Sequence, residues 1–170
     1  MIDESGFYLV PGKVRSYAPC GERPVLHPFL TRDHLSVISG VTPKGQLYTQ
    51  TSNWALSSLD AALFLQHLLE ILGCPLLVFW DGSPIHRGDV DDLLARVGSE
   101  QIVVERLPAY APDLNPDEGV WNYLKHVELR NDVCLNLRQL RFHLHRAIMR
   151  LRSKPSLIRS FFDGAGLPCD

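Results

Sequence analysis

Three acidic residues stand where their carboxylates could converge on one site. Asp3 lies in the first strand-like apolar run, Asp81 directly follows a continuous apolar run, and Glu118 lies in the first turn of a predicted helix. Carboxylates only a few ångströms apart repel one another unless cations lie between them. Oxygen-only ligands favour Mg²⁺ or Mn²⁺, and two such ions roughly 3.5–4 Å apart assist phosphoryl transfer. We therefore predict that Asp3, Asp81 and Glu118 are catalytic metal ligands.

Each of these residues also has a simpler explanation. Asp3, followed by Glu4 near a terminus, could be a solvated charge. Asp81, before Gly-Ser-Pro, could be an ordinary turn residue, and Glu118 could complete a capping box with Asn115. Each local signal is therefore weak, and the prediction rests on the joint placement of the three carboxylates.

The elements that position these residues follow from apolar periodicity and turn signals. Strands are predicted at Ile2–Val10, Leu35–Val41, Leu47–Thr51, Leu76–Trp80 and Ile102–Leu107, with a hairpin turn at Pro43-Lys44-Gly45. Helices are predicted from Ser57 or Ser58 to about Leu72, around Asp89–Val97, from Asn115-Pro116 onward, and over Leu137–Arg152. The Pro- and Gly-rich segment Pro11–Thr31 has no assignment.

This order of elements predicts an α/β fold with a mixed five-stranded sheet flanked by helices. Leu76–Trp80 is continuously apolar, which is typical of a central strand covered on both faces, and it places Asp81 at the strand's carboxyl edge. The strand–helix–strand unit that follows favours parallel pairing. If the first and fourth strands are neighbours, Asp3 and Asp81 meet at one edge, and the helix of Glu118 can cross above them.

Composition limits the classes of protein that the chain can belong to. Its 170 residues, 45% hydrophobic and 21% charged, suit one domain, 1–170, and neither a disordered nor a membrane protein. The N-terminus lacks the pattern of a secretory signal, so we expect a cytoplasmic protein. The four cysteines, Cys20, Cys74, Cys134 and Cys169, are far apart, which favours neither a zinc site nor a disulfide framework.

Charge is unevenly distributed along the chain. Residues 1–120 carry 8 Lys and Arg against 15 Asp and Glu, a net charge of −7, whereas residues 121–170 carry 9 against 4, a net charge of +5. A basic helical segment, about 126–170, can therefore dock a polyanion such as DNA. An ordinary solvated basic helix explains the same pattern equally well.

Three sequence blocks together resemble a known family. They are Asp3-Glu4-Ser5-Gly6-Phe7, Trp80-Asp81-Gly82-Ser83-Pro84-Ile85-His86-Arg87, and the stretch from Leu107 to Trp121, which reads LPAYAPDLNPDEGVW. They are similar to the catalytic blocks of DDE transposases in the mariner superfamily, bacterial insertion-sequence branch. The segment Ser16–Pro24 also looks like that branch's Trp-Ala-Pro-x-Gly-x-x-Pro segment, with Tyr17 where Trp is usual.

The resemblance implies a ribonuclease-H-like fold and a metal-dependent DNA reaction. Its expected course is strand cleavage at transposon ends by water, followed by transfer of the freed 3′-hydroxyl into target DNA, with two Mg²⁺ or Mn²⁺ ions as cofactors. By motif position, the triad is Asp3, Asp81 and Glu118, while Asp113 and Asp117 are not ligands. The expected partners are transposon-end and target DNA, and a second copy in a homodimeric synaptic complex.

The resemblance also leaves open how the ends are recognised. Proteins of this family carry N-terminal helix-turn-helix modules, whereas only two residues precede Asp3 here. We expect that region to be absent from this chain and supplied by the product of an upstream reading frame, or lost by truncation. A stand-alone ribonuclease-H-like nuclease and an inactive or regulatory remnant that binds DNA or full-length transposase are the competing hypotheses.

A set of basic residues is predicted to contact DNA. His86, five residues after Asp81, could contact DNA or the attacking water, although a structural role is equally consistent with its position. Three arginines of the last predicted long helix fall near one helical face. The full set is His86, Arg87, Lys125, Arg138, Arg141, Arg146 and Arg150.

Overall fold

The computed structural model describes residues 1–10, 19–21, 25, 33–108 and 111–167. The strands are β1 (Ile2–Tyr8), β2 (His34–Val41), β3 (Leu47–Ser52), β4 (Leu76–Trp80) and β5 (Ile102–Arg106). The helices are α1 (Ser58–Leu72), α2 (Asp89–Val97), α3 (Pro116–Tyr123), α4 (Leu137–Arg152) and α5 (Pro155–Gly164), and a π-helical turn, Leu124–Glu128, continues α3. The α/β class is confirmed. Most of the unassigned segment Pro11–Thr31, with its Ser16–Pro24 motif, lies outside the described residues.

β2 is the central strand of a three-stranded antiparallel sheet ordered β1-β2-β3. Seven of its eight residues are buried, because helices cover both faces. The predicted hairpin to β3 is present, with Gly45 at φ 78° in the left-handed region. A Cβ at Gly45 would lie 2.3 Å from the carbonyl oxygen of Pro155, so only glycine allows the turn to pack against the start of α5.

The remaining two strands form a separate sheet, which corrects the prediction of one five-stranded sheet. β4 and β5 pair in parallel around α2, as predicted. β1 and β4 are neighbours with Cα atoms within 8 Å of each other, but a hydrogen-bonded ladder requires strands about 4.8 Å apart. Within the described part of the chain, no such ladder joins them. The predicted adjacency of β1 and β4 is therefore present as packing rather than as pairing.

The prediction that β4 is covered on both faces is wrong. Val78 and Trp80 are buried, whereas Leu77 and Phe79 are 59% and 37% exposed. Successive side chains of a strand point to opposite faces, and helices α1 and α2 pack only on the face of Val78 and Trp80. An uninterrupted apolar run does not reveal which of its residues has a partner.

Two apolar cores lie on opposite faces of the β1-β2-β3 sheet. The first packs Phe7, Val37 and Val41 against α3, α4 and α5. The second packs Ile2 and Ile38 against α1, α2 and β4. β1 thus lies between α3, the helix that carries Glu118, and β4, the strand that Asp81 follows. Over the described ranges, no helix is both long and apolar enough to cross a membrane.

Candidate functional site

Asp3 is held on the α3 side of β1. Strand alternation places its side chain on the same face as Phe7, which belongs to the core shared with α3. Two donors from the α3 region contact its Oδ2: the side-chain amide of Asn115 at 2.9 Å and the indole Nε1 of Trp121 at 3.0 Å. Its Oδ1 accepts the main-chain N–H of Glu4 at 2.8 Å. Three hydrogen bonds therefore fix this carboxylate.

The charge of Asp3 is disfavoured in spite of these donors. Burial raises the pKa of Asp3, the nearby charges of Glu4 and Glu118 add to that shift, and the hydrogen bonds from Trp121 and from the Glu4 main chain partly oppose it, so that the resulting pKa is about 6. A carboxylate has about four lone-pair positions, and three are used. The remaining position on Oδ1, beside other negative charges, is suited to a cation.

Glu118 is presented to solvent by the start of α3. Asn115 caps the helix, and its Oδ1 accepts the N–H of Asp117 at 3.1 Å, with Pro116 at the first helical position. The cap therefore uses Asp117 and not Glu118, and the Glu118 side chain stays exposed. Three and six residues later, Trp121 and Leu124 are buried in the core. The helix is thus fixed by its buried face, and its first turn projects Glu118.

Asp81 follows the last residue of β4, as predicted, and is exposed. Its Oδ1 accepts the N–H of Ser83 at 2.9 Å, which forms the turn that leads into the short helical segment Pro84–His86. Its main-chain oxygen and Oδ1 lie 3.1 and 3.3 Å from Nδ1 of His86. Asp81 is therefore both a turn residue and an acid whose position depends on His86.

His86 connects Asp81 to β1. Its ring is buried and stacks on Trp80 with centroids 3.8 Å apart, and its Nε2 lies 2.9 Å from Oε1 of Glu4. Burial lowers its pKa, but the hydrogen bond and charge of Glu4, with smaller contributions from Asp81, raise the pKa overall. The structural role allowed by the sequence fits this position, since a DNA contact would require an exposed ring.

A second acid lies beneath the site. Asp117 is fully buried and accepts a hydrogen bond from the hydroxyl of Ser39, the residue opposite Asp3 in the β1-β2 register. Its Oδ2 has no hydrogen-bond partner in the described residues. Burial raises the pKa of Asp117 and the charges of Asp3 and Glu4 add to that shift, whereas the N-terminal ammonium and the Ser39 hydrogen bond oppose it, so that the resulting pKa is about 8. The ionised form of Asp117 is therefore disfavoured in the folded protein.

The three predicted ligands thus surround β1 without forming a compact cluster. Asp3 and Glu118 are close enough to interact electrostatically, and Asp81 reaches β1 through His86. Among the residues that the structure describes, only Asp132, Cys134 and His143 bring three possible ligand atoms within 4.8 Å of one another. Two metal ions of such a pair lie roughly 3.5–4 Å apart, and each lies about 2 Å from its ligand oxygens. Ligand oxygens on opposite sides of the ion pair can therefore be as far apart as about 8 Å.

The predicted DNA-contacting residues have different surroundings. Lys125 donates to Ser5 Oγ at 2.7 Å; burial lowers its pKa, and the charges of Glu118 and Asp3 oppose that shift. Arg141 donates to the Thr51 carbonyl and to Asn53, while Arg150 pairs with Glu128 at 2.6 Å. Lys125 therefore belongs to the carboxylate site. The exposed residues of this set are Arg87, Arg138, Arg146 and Arg150.

Sequence reasoning missed the side chains that hold the carboxylates. Glu4 could have been found from strand alternation, which turns it away from Asp3 and toward the side of Ile2, where β4 packs. The donors to Asp3 had no local signal, because Asn115 and Trp121 are 112 and 118 residues away. Such contacts depend on how α3 packs across β1.

Comparisons with known proteins identify the family and show a similar fold. Residues 1–141 match the family model described as DDE superfamily endonuclease. Similar solved structures include the mariner Mos1 paired end complex with Mg, at a TM-score of 0.68, 19% identity and coverage of 98% of this chain and 51% of that chain. They also include a pre-cleavage Mos1 transpososome, at a TM-score of 0.66 and 16% identity. That match covers 97% of this chain and 55% of the transpososome chain. This chain spans about half the length of these structures, and no curated protein sequence matches it significantly.

Proposed function

The chain belongs to the DDE superfamily endonucleases, and on that premise we propose that it is the catalytic domain of a transposase. Its reaction is metal-dependent cleavage of DNA strands at transposon ends, followed by transfer of the 3′-hydroxyl ends into target DNA. Asp3, Asp81 and Glu118 are the proposed catalytic residues. The bacterial origin, the homodimer and the upstream helix-turn-helix product belong to the same proposal and rest on the motif resemblance.

One observation carries the proposal. The helix that presents Glu118 is tied to the β1 strand through two donors, Asn115 and Trp121, that both contact Asp3. Strand and helix therefore cannot separate without breaking bonds to a partly buried carboxylate. If these acids served only to keep the protein soluble, two side-chain hydrogen-bond donors on one of them would not be expected.

The donor set fits divalent cations that prefer oxygen. All three proposed ligands are carboxylates, and Asp3 is a partly buried acid whose ionised form is disfavoured by burial and by neighbouring negative charge. Mg²⁺ and Mn²⁺ suit such ligands. When bound, a pair of these ions activates an attacking oxygen and stabilises the leaving oxygen. The structures similar to this chain include Mos1 complexes with Mg and with Mn.

The chain's own residues have separate roles in this scheme. Asp3 is the partly buried ligand fixed by hydrogen bonds, while Asp81 and Glu118 face solvent, where a DNA strand can approach. Lys125, whose ammonium interacts with the charges of Asp3 and Glu118, limits repulsion among the acids. The exposed arginines of α4 are proposed to hold the DNA backbone. The Mos1 structures, described as complexes with transposon ends, support DNA as the partner.

A cleavage and joining assay tests the proposal. Supercoiled plasmid and short duplexes with free 3′-hydroxyl ends are incubated with the protein and Mn²⁺ or Mg²⁺. We expect nicking and joining in the unaltered chain and a loss of more than about 100-fold in Asp81→Asn or Glu118→Gln, because even groups that only orient a metal ligand are worth 10–100-fold. Asp113→Asn, an exposed acid in the same loop, is the matched control and should retain activity.

The products distinguish the competing functions. Joined product that requires Asp81 and Glu118 supports the transposase proposal. Nicking without joining would favour a stand-alone nuclease. Activity that is unchanged in Glu118→Gln, or no activity with either ion, would contradict the catalytic proposal and favour a DNA-binding remnant.

A further inference from the structure

Asp132, Cys134 and His143 form a cluster outside the carboxylate site. Asp132 Oδ2 lies 2.5 Å from His143 Nδ1, and Cys134 Sγ completes a group whose three ligand atoms all lie within 4.8 Å of one another. Cys134 is buried, while the side chains of Asp132 and His143 are each about one third exposed. The cluster therefore has one face in the core and one face toward solvent.

The surrounding core determines where these three residues lie. Leu129, Cys134, Leu140 and Leu144 all belong to the core between the sheet and α3–α5. Asn136 caps α4 by accepting the N–H of Gln139 at 2.9 Å, which orients the first turns of the helix and hence His143. The loop that carries Asp132 and Cys134 is thus held next to α4 at both ends, by the packing of Leu129 at one end and by the Asn136 cap at the other.

We propose that Asp132, Cys134 and His143 bind a zinc ion, with water as the fourth ligand. Thiolate, imidazole and carboxylate together are ligands of zinc and not of Mg²⁺, so this site is chemically separate from Asp3, Asp81 and Glu118. An adjoining cavity of about 180 Å³, lined in part by Glu128, Arg146 and Arg150, has room for water at the fourth position. The wide spacing of the cysteines favoured no zinc site, but the fold brings Asp132 and His143 to Cys134.

Charge balance supports this assignment. Zn²⁺ with one thiolate and one carboxylate is neutral, which suits a partly buried place beside Arg146 and Arg150. The ion would fasten the loop after the π-helical turn to α4.

Cobalt substitution tests the site in the full chain. Co²⁺ bound to a thiolate gives a charge-transfer band in the near ultraviolet, whereas Co²⁺ bound only to carboxylates does not. We expect one equivalent of Co²⁺ to produce this band, and Zn²⁺ to abolish it by displacement. The band should be lost in Cys134→Ala and weakened in His143→Gln, and it should be retained in Cys74→Ser, an exposed cysteine, and in Asp81→Asn.

Affinity gives a second readout. In competition with a chromophoric chelator, Zn²⁺ binding should weaken more than about 100-fold in Cys134→Ala, since groups that merely orient a ligand are worth 10–100-fold. Because Cys134 is buried, His143→Gln serves as the variant that retains the core. The absence of a thiolate band, or a band unaffected by both Cys134→Ala and His143→Gln, would overturn the proposal. The inference is independent of the proposed DNA reaction, which uses other residues.

Discussion

The two sides of the carboxylate site differ in how firmly they are held. On the α3 side, Asp3 is partly buried and accepts three hydrogen bonds, two of them from α3 and its cap. On the β4 side, Asp81 is exposed, and its link to β1 is a single buried imidazole, His86. One ligand is therefore fixed by the packing of α3 against β1, whereas the other is connected to β1 through His86.

The largest effect is expected on the firmly held side. Trp121→Phe keeps the aromatic ring in the core but removes the N–H that donates to Asp3 Oδ2. Because partners that orient a metal ligand are worth 10–100-fold, we expect strand cleavage and Mn²⁺ affinity to fall by roughly 10–100-fold. Trp54→Phe, at an 80% exposed tryptophan, is the control, and equal losses in the two variants would contradict this role of Trp121.

A smaller effect is expected on the β4 side. His86→Gln retains a polar group but shortens the link between Asp81 and Glu4, and we expect a roughly 10-fold loss of cleavage, at the low end of the same range. Mn²⁺ affinity should fall together with cleavage, while the melting temperature is preserved. A purely structural defect would instead lower the melting temperature. His67→Gln, at an exposed histidine of α1, is the control. Loss in both variants, or in neither, would remove His86 from the site.

The same contrast explains how much of the site could be predicted from the sequence. Asp81 and Glu118 were placed correctly on their elements because each follows a local signal, the end of an apolar run or a Pro-marked helix start. The bounds of α1, α2, β4 and α4 followed from spacing and caps for the same reason. These features depend on neighbours within a few residues, and the sequence displays those directly.

Features that depend on distant packing could not be predicted in this way. β1 was expected to reach Val10 but ends at Tyr8, because its partner β2 begins only at His34. The side-chain donors to Asp3 and the contact between Glu4 and His86 join residues 82 to 118 positions apart. The parallel pairing of β4 and β5 followed from the strand–helix–strand order, but their separation from the β1-β2-β3 sheet depends on how the elements pack.

Asp117 gives a test by pH that does not require catalysis. A carboxyl group with a pKa of 3.8 when unfolded and about 8 when folded binds more protons in the folded state between those values. Its contribution to the free energy of unfolding therefore falls as pH rises from about 4 to about 8, and is constant above that. Asp117→Asn cannot titrate, so its stability relative to the unaltered chain should increase by more than about 1 kcal/mol from pH 5 to pH 8.

Denaturant titrations with a chelator present measure this difference at pH 5, 7 and 9. Asp163→Asn, an exposed acid of α5, should show no such trend. A constant difference between Asp117→Asn and the unaltered chain across the three pH values would mean that Asp117 is ionised in the folded state. It would then be an additional negative charge beneath Asp3, and the comparison between the two sides of the site would have to include it.

On α4, too, one arginine is hydrogen-bonded to the rest of the protein and another is exposed to solvent. The smallest effect of a substitution is expected there. Arg141 is tied to Thr51 and Asn53, whereas the exposed Arg138 extends from the same helix face. Each phosphate contact contributes about 0.9 to the slope of log affinity against log salt. Arg138→Gln should therefore reduce that slope by about 1 without changing the melting temperature, while Arg141→Gln should lower the melting temperature and change the slope less. Arg96→Gln on α2 is the control, and an unchanged slope in Arg138→Gln would exclude this part of α4 from the DNA-binding surface.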